Sequence, residues 1–206
     1  MSKIKVLIAD DHSIIQIGLS DLLTDEGSFE VVATAGNGEE AVALTLAKKP
    51  DVVIMDLLMP QKGGIQATAE IMAKDPTAKI MVLTSFGSSD DISKALAAGA
   101  SGAILKDASN EDLIDSIKRV AAGEKVVPEN IRRMIAEDPP LPELSQRQLE
   151  ILSFITRGLT NTDIAKQLGI GVTSVKTHME ALFLKIGAAN RAEAVAIALR
   201  KHLLKI

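Results

Sequence analysis

The sequence predicts two domains of different class: an α/β domain on a five-stranded, parallel, doubly wound sheet, then a small all-α domain of four helices. Three observations lead there. Five short apolar runs alternate with five helical patterns over the first half of the chain, and regular strand–helix alternation produces a parallel sheet covered on both faces. Residues 137–142 (Glu-Asp-Pro-Pro-Leu-Pro) are proline-rich and form an extended spacer. Past the spacer only helical periodicities remain and the charge changes sign: 12 Lys and Arg face 19 Asp and Glu over 1–125, but 9 face 4 over 145–206. The boundaries that follow are 1–124, a linker with a short helix over 125–143, and 144–206.

Taken in order, 5–9 (Lys-Val-Leu-Ile-Ala) is the first strand, closed by Asp10, Asp11 and His12. Ser13 caps a helix in which Ile15, Gly18, Leu19 and Leu22 share a face, and Gly27 ends it. Strand 29–35 runs into the turn Gly36-Asn37-Gly38. Helix 39–49 carries Glu39 and Glu40 in its first turn, where acids suit the dipole, and Pro50 stops it. The run 52–55 (Val-Val-Ile-Met) is a strand buried on both faces that ends in Asp56. Gly63 and Gly64 precede a helix to about residue 75. Strand 80–83 ends in Thr84. Helix 91–98 places Ile92, Ala95, Leu96 and Gly99 on one face. Strand 103–105 ends in Lys106, and helix 110–121 turns Leu113, Ile114, Ile117 and Val120 inward. A short helix is expected over 128–136.

In the second domain Ser145 and Gln148 form a capping box ahead of Leu149, Leu152 and Ile155, and Gly158 closes that helix. Helix 160–168, the turn Gly169-Ile170-Gly171 and helix 172–186 describe a helix-turn-helix. In 172–186, Val175, Met179, Leu182 and Ile186 form the buried stripe, and Thr173, Thr177 and Glu180, flanked by Lys176, face outward. The second helix of such a motif enters the major groove, where hydroxyls and positive charge suit base and phosphate contacts. Helix 191–201 is the last. The basic balance of this half is a nucleic-acid signal.

Composition excludes several chemistries. Of 206 residues 47% are hydrophobic and none is Cys, so disulfides, thiolate metal sites and cysteine nucleophiles are ruled out. Aromatics are only 2%, so the cores are aliphatic. No apolar run reaches spanning length and no signal-peptide pattern opens the chain, so no membrane association and a cytoplasmic location are expected.

The strand ends carry the chemistry. Asp10, Asp11, Asp56, Thr84 and Lys106 all close strands, and in a parallel sheet those ends share one edge. Three converging carboxylates repel unless a divalent cation neutralises them; Mg2+ takes oxygen ligands. A metal, an ammonium and a hydroxyl suit phosphoryl transfer, with ionised Asp56 as the nucleophile.

Residues 3–122 resemble the receiver domain of bacterial two-component response regulators, through Asp10-Asp11, Asp56-Leu57-Leu58-Met59-Pro60 with Gly63-Gly64, Thr84 and Lys106. Residues 144–204 resemble the LuxR-type four-helix DNA-binding domain, through Leu144-Ser145-x-Arg147, Gly158-Leu159-Thr160-Asn161, Ile164-Ala165, Ser174-Val175-Lys176-Thr177-His178, Lys185 and Arg191-x-x-Ala194. Together they are similar to the NarL/FixJ-type response regulators. The resemblance implies a flavodoxin-like sheet, a sensor histidine kinase that phosphorylates Asp56, and Mg2+ held by Asp11, Asp56 and the Leu58 carbonyl with Asp10 acting through water. It implies that Thr84 and Lys106 contact the phosphoryl group, and that the active protein is a homodimer on double-stranded DNA. It further implies that Lys176 and Thr177 face bases, with Thr160, Lys185 and Arg191 nearer phosphates; Thr173, Ser174 and Glu180 are counted in the same DNA-binding set, and His178 is read as packing or a backbone contact rather than catalysis. The chain is then a transcription regulator and not an enzyme.

Two departures stand out. Ala103 occupies the position where the family usually carries an aromatic that follows the Thr; Phe86 is the nearest aromatic in sequence. This keeps open a phosphorylation-independent regulator of the same fold. Glu180 replaces the more usual polar or basic residue and can accept from cytosine N4. A metal-dependent phosphatase with Asp56 as nucleophile is disfavoured because Leu58 stands where its second acid belongs.

Overall fold

The computed structural model describes residues 3–84, 89–137, 139, 141–142, 144–201 and 203–204. Two compact units form, Met1–Pro140 and Leu141–Ile206.

Unit one is a parallel sheet of β1 (Ile4–Ala9), β2 (Phe29–Ala35), β3 (Val52–Asp56), β4 (Ile80–Thr84) and β5 (Gly102–Leu105) in the order β2-β1-β3-β4-β5. The helices between them are α1 (Ser13–Glu26), α2 (Gly38–Lys48), α3 (Gly64–Lys74), α4 (Ser89–Ala97) and α5 (Asn110–Ala121). Alternation along each strand sorts the core into layers. Val6, Ile8, Val52, Ile54, Met81 and Leu83 pack with Leu23 of α1 and Leu113, Ile117 and Val120 of α5. Leu7, Val53 and Met55 pack on the other face with Ala41 and Val42 of α2 and Ala67 and Ile71 of α3. Every residue of β3 and β4 is buried; each such aliphatic side chain contributes about 1.5–3 kcal/mol. That burial is why the two strands read as continuous apolar runs.

The element boundaries agree with the sequence expectation to within two residues. The helix faces differ in detail. In α1, Gly18 is exposed and Leu23 takes the fully buried place.

The segment expected as a linker behaves differently from a spacer for most of its length. Val126 forms a parallel bridge with Gly102, accepts from the Ala103 N–H at 3.0 Å and donates to the Ser101 carbonyl at 3.0 Å. A Cβ at Gly102 would lie 2.5 Å from the Val126 oxygen, so only glycine permits this approach. α6 (Glu129–Glu137) then buries Ile131 against Leu57, Val82, Ile92, Ala95 and Ala103. Ile131 of α6 thus joins the same apolar cluster as the small Ala103, the position where the family usually carries an aromatic. The apolar residues of 126–135 make the difference: they have a sheet edge and a helix to cover. Of the spacer itself, Asp138 and Pro140 lie outside the described residues, as does Phe86.

Unit two contains α7 (Gln146–Thr156), α8 (Asn161–Leu168), α9 (Val172–Ile186) and α10 (Arg191–Arg200). Capping boxes open α7 (Ser145 with Gln148) and α8 (Thr160 with Asp163), satisfying orphan N–H groups at each start. Gly169 and Gly187, at φ 64° and 74°, end α8 and α9 in the left-handed conformation that favours glycine. Ile151, Leu152, Ile155, Ile164, Val175, Met179, Leu182, Ile186 and Ile197 form one core. Among the described residues, no helix is long and apolar enough to cross a membrane.

Candidate functional site

The sheet order reverses direction between β1 and β3, and ligands of open α/β sheets bind beyond the carboxyl ends of strands at such a switch point. Asp10 follows β1 there and Asp56 ends β3. Both are nearly inaccessible, at 1% and 5%. Lys106, which follows β5, reaches back between them: its Nζ donates to Asp10 Oδ2 at 2.5 Å and to Asp56 Oδ2 at 3.0 Å. Thr84 is buried at the end of β4, and its carbonyl accepts from the Lys106 N–H at 2.8 Å. Four of the five strand-end residues predicted to converge are therefore in one place, and Asp11 stands at its more open rim.

Local geometry explains why the motif has its glycines. A Cβ on Gly64 would lie 2.0 Å from the Asp56 carbonyl oxygen, so α3 can begin against the end of β3 only with glycine there. The Leu58 N–H points at Asp56 Oδ1 from 3.5 Å, while the Leu58 side chain is exposed.

Burial pushes the Asp56 carboxyl above its ordinary range, against the opposing pull of Lys106. Burial also pulls Lys106 down, but its hydrogen bonds to Asp10 and Asp56 prevail and hold it above the usual lysine value. Lys106 is therefore a firm cation between two buried acids.

Asp10, Asp11, His12 and Asp56 each offer one ligand atom, and these atoms all lie within 4.8 Å of one another. One ammonium does not balance three carboxylates, so a hard dication with oxygen preference fits the remaining charge. Two residues of this region were given no site role from the sequence. His12 places Nδ1 2.8 Å from Asp11 Oδ1, and its N–H donates to Asp10 Oδ1 at 2.8 Å. Gln16 donates through Nε2 to the Asp10 carbonyl at 2.6 Å and the Ala35 carbonyl at 3.0 Å, tying the β1 turn to β2. His12 was legible by adjacency to the acidic pair; nothing in the sequence pointed to Gln16.

In unit two, Thr173, Ser174, Lys176, Thr177 and Glu180 are all exposed on α9, with Thr177 Oγ1 donating to the Thr173 carbonyl at 3.2 Å. Thr160 is exposed but engaged with Asp163 Oδ2 at 2.5 Å. The two remaining predicted DNA contacts are placed differently. Lys185 is half-buried with Nζ 3.5 Å from Gln148 Oε1. Arg191 points into the unit, where Nη2 donates to the carbonyls of Ile155 and Leu159 and satisfies the end of α7.

Comparison with known proteins adds independent findings. The family model described as "Response regulator receiver domain" matches residues 6–118, and that described as "Bacterial regulatory proteins, luxR family" matches 142–198. The response regulator protein VraR of Staphylococcus aureus is 36% identical over 98% of this chain and 99% of its own. Among solved structures, the response regulator ChrA of a heme-sensing two-component system aligns with TM-score 0.61 and 31% identity over 99% of this chain and all of its own. The two-component response regulator RcsB in complex with DNA aligns with TM-score 0.68 and 26% identity over 97% of this chain and 99% of its own.

Proposed function

The chain belongs to the response regulators that join a receiver domain to a LuxR-family DNA-binding domain, and from that premise we propose that Asp56 is its phospho-acceptor and the exposed face of α9 its DNA-reading surface. As a member of that family it is a transcription regulator of a two-component system. The observation that carries the proposal is the buried Asp10–Lys106–Asp56 bridge at the switch point of the sheet.

In this reading a phosphohistidine of a sensor kinase is the donor. An Asp56 carboxylate oxygen attacks phosphorus, the P–N bond breaks, and the leaving imidazole keeps the electron pair and takes a proton. Asp10, Asp11 and Asp56, with the Leu58 carbonyl, would hold Mg2+, which when bound neutralises charge on the transferring oxygens. Lys106 exchanges part of its bridge for a phosphoryl oxygen, and the Thr84 hydroxyl donates to another. The added charge biases a pre-existing equilibrium toward a homodimer. Two copies of α9 then enter successive major grooves of an inverted repeat. Thr173, Ser174, Lys176, Thr177 and Glu180 face the bases, and Thr160 and Lys185 lie nearer phosphates. We assign Arg191 to support of the fold instead, because its guanidinium is occupied by the carbonyls of Ile155 in α7 and Leu159 in the loop that follows. The protein acts in the cytoplasm.

The test is transfer itself. With a small phosphodonor and Mg2+, the intact protein should gain the mass of one phosphoryl group and bind its selected duplex more tightly. Asp56→Asn should gain neither. A second reading, regulation without phosphorylation, is favoured by one feature: Ala103, where the family usually carries an aromatic, lies in an aliphatic cluster with Val82 and Ile131 that contains no aromatic among the described residues. Equal DNA affinity before and after phosphorylation would select it.

A further inference from the structure

Leu184 is the most exposed large apolar side chain among the described residues, at 86%. On α9 the buried Val175, Met179, Leu182 and Ile186 mark the inward face. Thr173, Thr177, Glu180 and Leu184 follow one another at steps of four, three and four residues, which keeps them on one line of the helix on the opposite side. A surface helix ordinarily puts charged or polar residues opposite its core. Here a leucine continues a line of hydroxyls and a carboxylate, and it lies outside the unit's own apolar core. From Thr173 to Leu184 the line covers about 16 Å of helix axis, the length of roughly five base-pair steps at 3.4 Å each. The base edges of a major groove offer one apolar group to such a side chain, the 5-methyl of thymine.

We infer that Leu184 reads the 5-methyl group of a thymine, and so adds a specificity-determining position to the DNA-facing line of α9. This rests on the reading of α9 as the recognition helix. Glu180 lies one turn earlier, about 6 Å along the axis, so a cytosine read by its carboxylate and a thymine read by Leu184 fall roughly two base-pair steps apart. The two residues together make the half-site pyrimidine-selective on the contacted strand.

The test uses the full chain, treated with phosphodonor and Mg2+, and the duplex it selects from a random library. Each thymine is replaced in turn by deoxyuridine, which removes only the 5-methyl group, and Kd is measured for wild type and Leu184→Ala. Wild type should lose about fourfold in affinity at one thymine per half-site, the effect of one buried methyl. Leu184→Ala should show no uracil penalty at that position. Uniform tolerance of uracil by wild type, or an unchanged penalty in Leu184→Ala, would overturn the inference while tight wild-type binding left the recognition-helix reading intact. Sedimentation of both proteins separates the remaining occupant: if Leu184→Ala lowers the self-association constant and leaves the uracil penalty in place, the leucine meets a second copy of this chain and the inference fails. The recognition-helix reading fails separately if Lys176→Ala and Thr177→Ala leave affinity for the selected duplex unchanged.

Discussion

Replacing Lys106 by methionine keeps most of the aliphatic length and removes only the ammonium from between Asp10 and Asp56. In the wild type that ammonium lies 2.5 Å and 3.0 Å from the two carboxylates, and its own side chain is 12% exposed. Breaking one partner out of a buried ion pair costs about 3–5 kcal/mol, because a charge is left uncompensated. The rim at Asp11 is open to water, which places the expected loss at the lower end, about 3 kcal/mol. For a unit of this size that is a fall in Tm of about 10 °C. The sign with pH follows from Asp56. Burial already raises its carboxyl with Lys106 present, and removing Lys106 raises it further. A carboxyl with a raised folded value binds more protons folded than unfolded, so stability falls as pH rises from the ordinary carboxylate value through the raised one. The deficit of Lys106→Met should therefore be small near the ordinary carboxylate value of 3.8 and grow as pH rises through the raised one. Scanning calorimetry in EDTA across that range measures it. Adding Mg2+ should stabilise the methionine variant more than wild type, since the dication is then the sole counter-charge at the cluster. A variant that melts within about 2 °C of wild type near pH 7 in EDTA, or whose deficit shrinks as pH rises, would refute the account of the cluster.

Three further outcomes are expected. Gly64→Ala puts a Cβ 2.0 Å from the Asp56 carbonyl, and with backbone on both sides of the clash the cost is about 3 kcal/mol; denaturant melts should show it, together with a phosphorylation rate reduced beyond what the lost folded fraction explains. Arg191→Ala should destabilise unit two by about 2 kcal/mol, the loss of charge-assisted bonds to the carbonyls of Ile155 and Leu159, and leave the salt dependence of DNA binding unchanged, whereas Lys176→Ala should reduce the salt slope by about one. On the acid side, Lys118 with Ser28 holds Glu26 down to about 2, and Lys62 with Lys74 holds Glu70 down to about 2. Their contribution is complete above the ordinary glutamate value of 4.5 and is lost as pH falls toward about 2. Lys118→Gln with Lys62→Gln should flatten that limb of an acid titration of Tm, and an unaltered limb would show that other carboxylates set it.

Much of the fold was legible because its signals are local. Val52–Asp56 is buried on both faces, so its apolar run had no polar interruption to blur it. Ser145, Thr160, Gly169 and Gly187 cap helices where their own backbone requirements place them. The site residues were legible for a related reason: each closes a strand, and a parallel sheet collects strand ends. Gln16 and Arg191 were not, because their partners, the carbonyls of Ala35, Ile155 and Leu159, are backbone groups distant in sequence. A carbonyl has no residue identity to read.

The sequence by itself determined the alternation of strands and helices, the acids and cation that close the strands, and the two faces of α9, since these depend on side-chain pattern and spacing. Tertiary structure alone decided that Lys106 spans Asp10 and Asp56 rather than facing water, that Arg191 turns inward, and that Ile131 of α6 joins the apolar cluster around Ala103. Each of these is a choice among partners made by proximity in three dimensions. For a charged or apolar group leaving water, the partner that wins is the one the packed sheet and helices bring within reach, and chain order does not encode that distance.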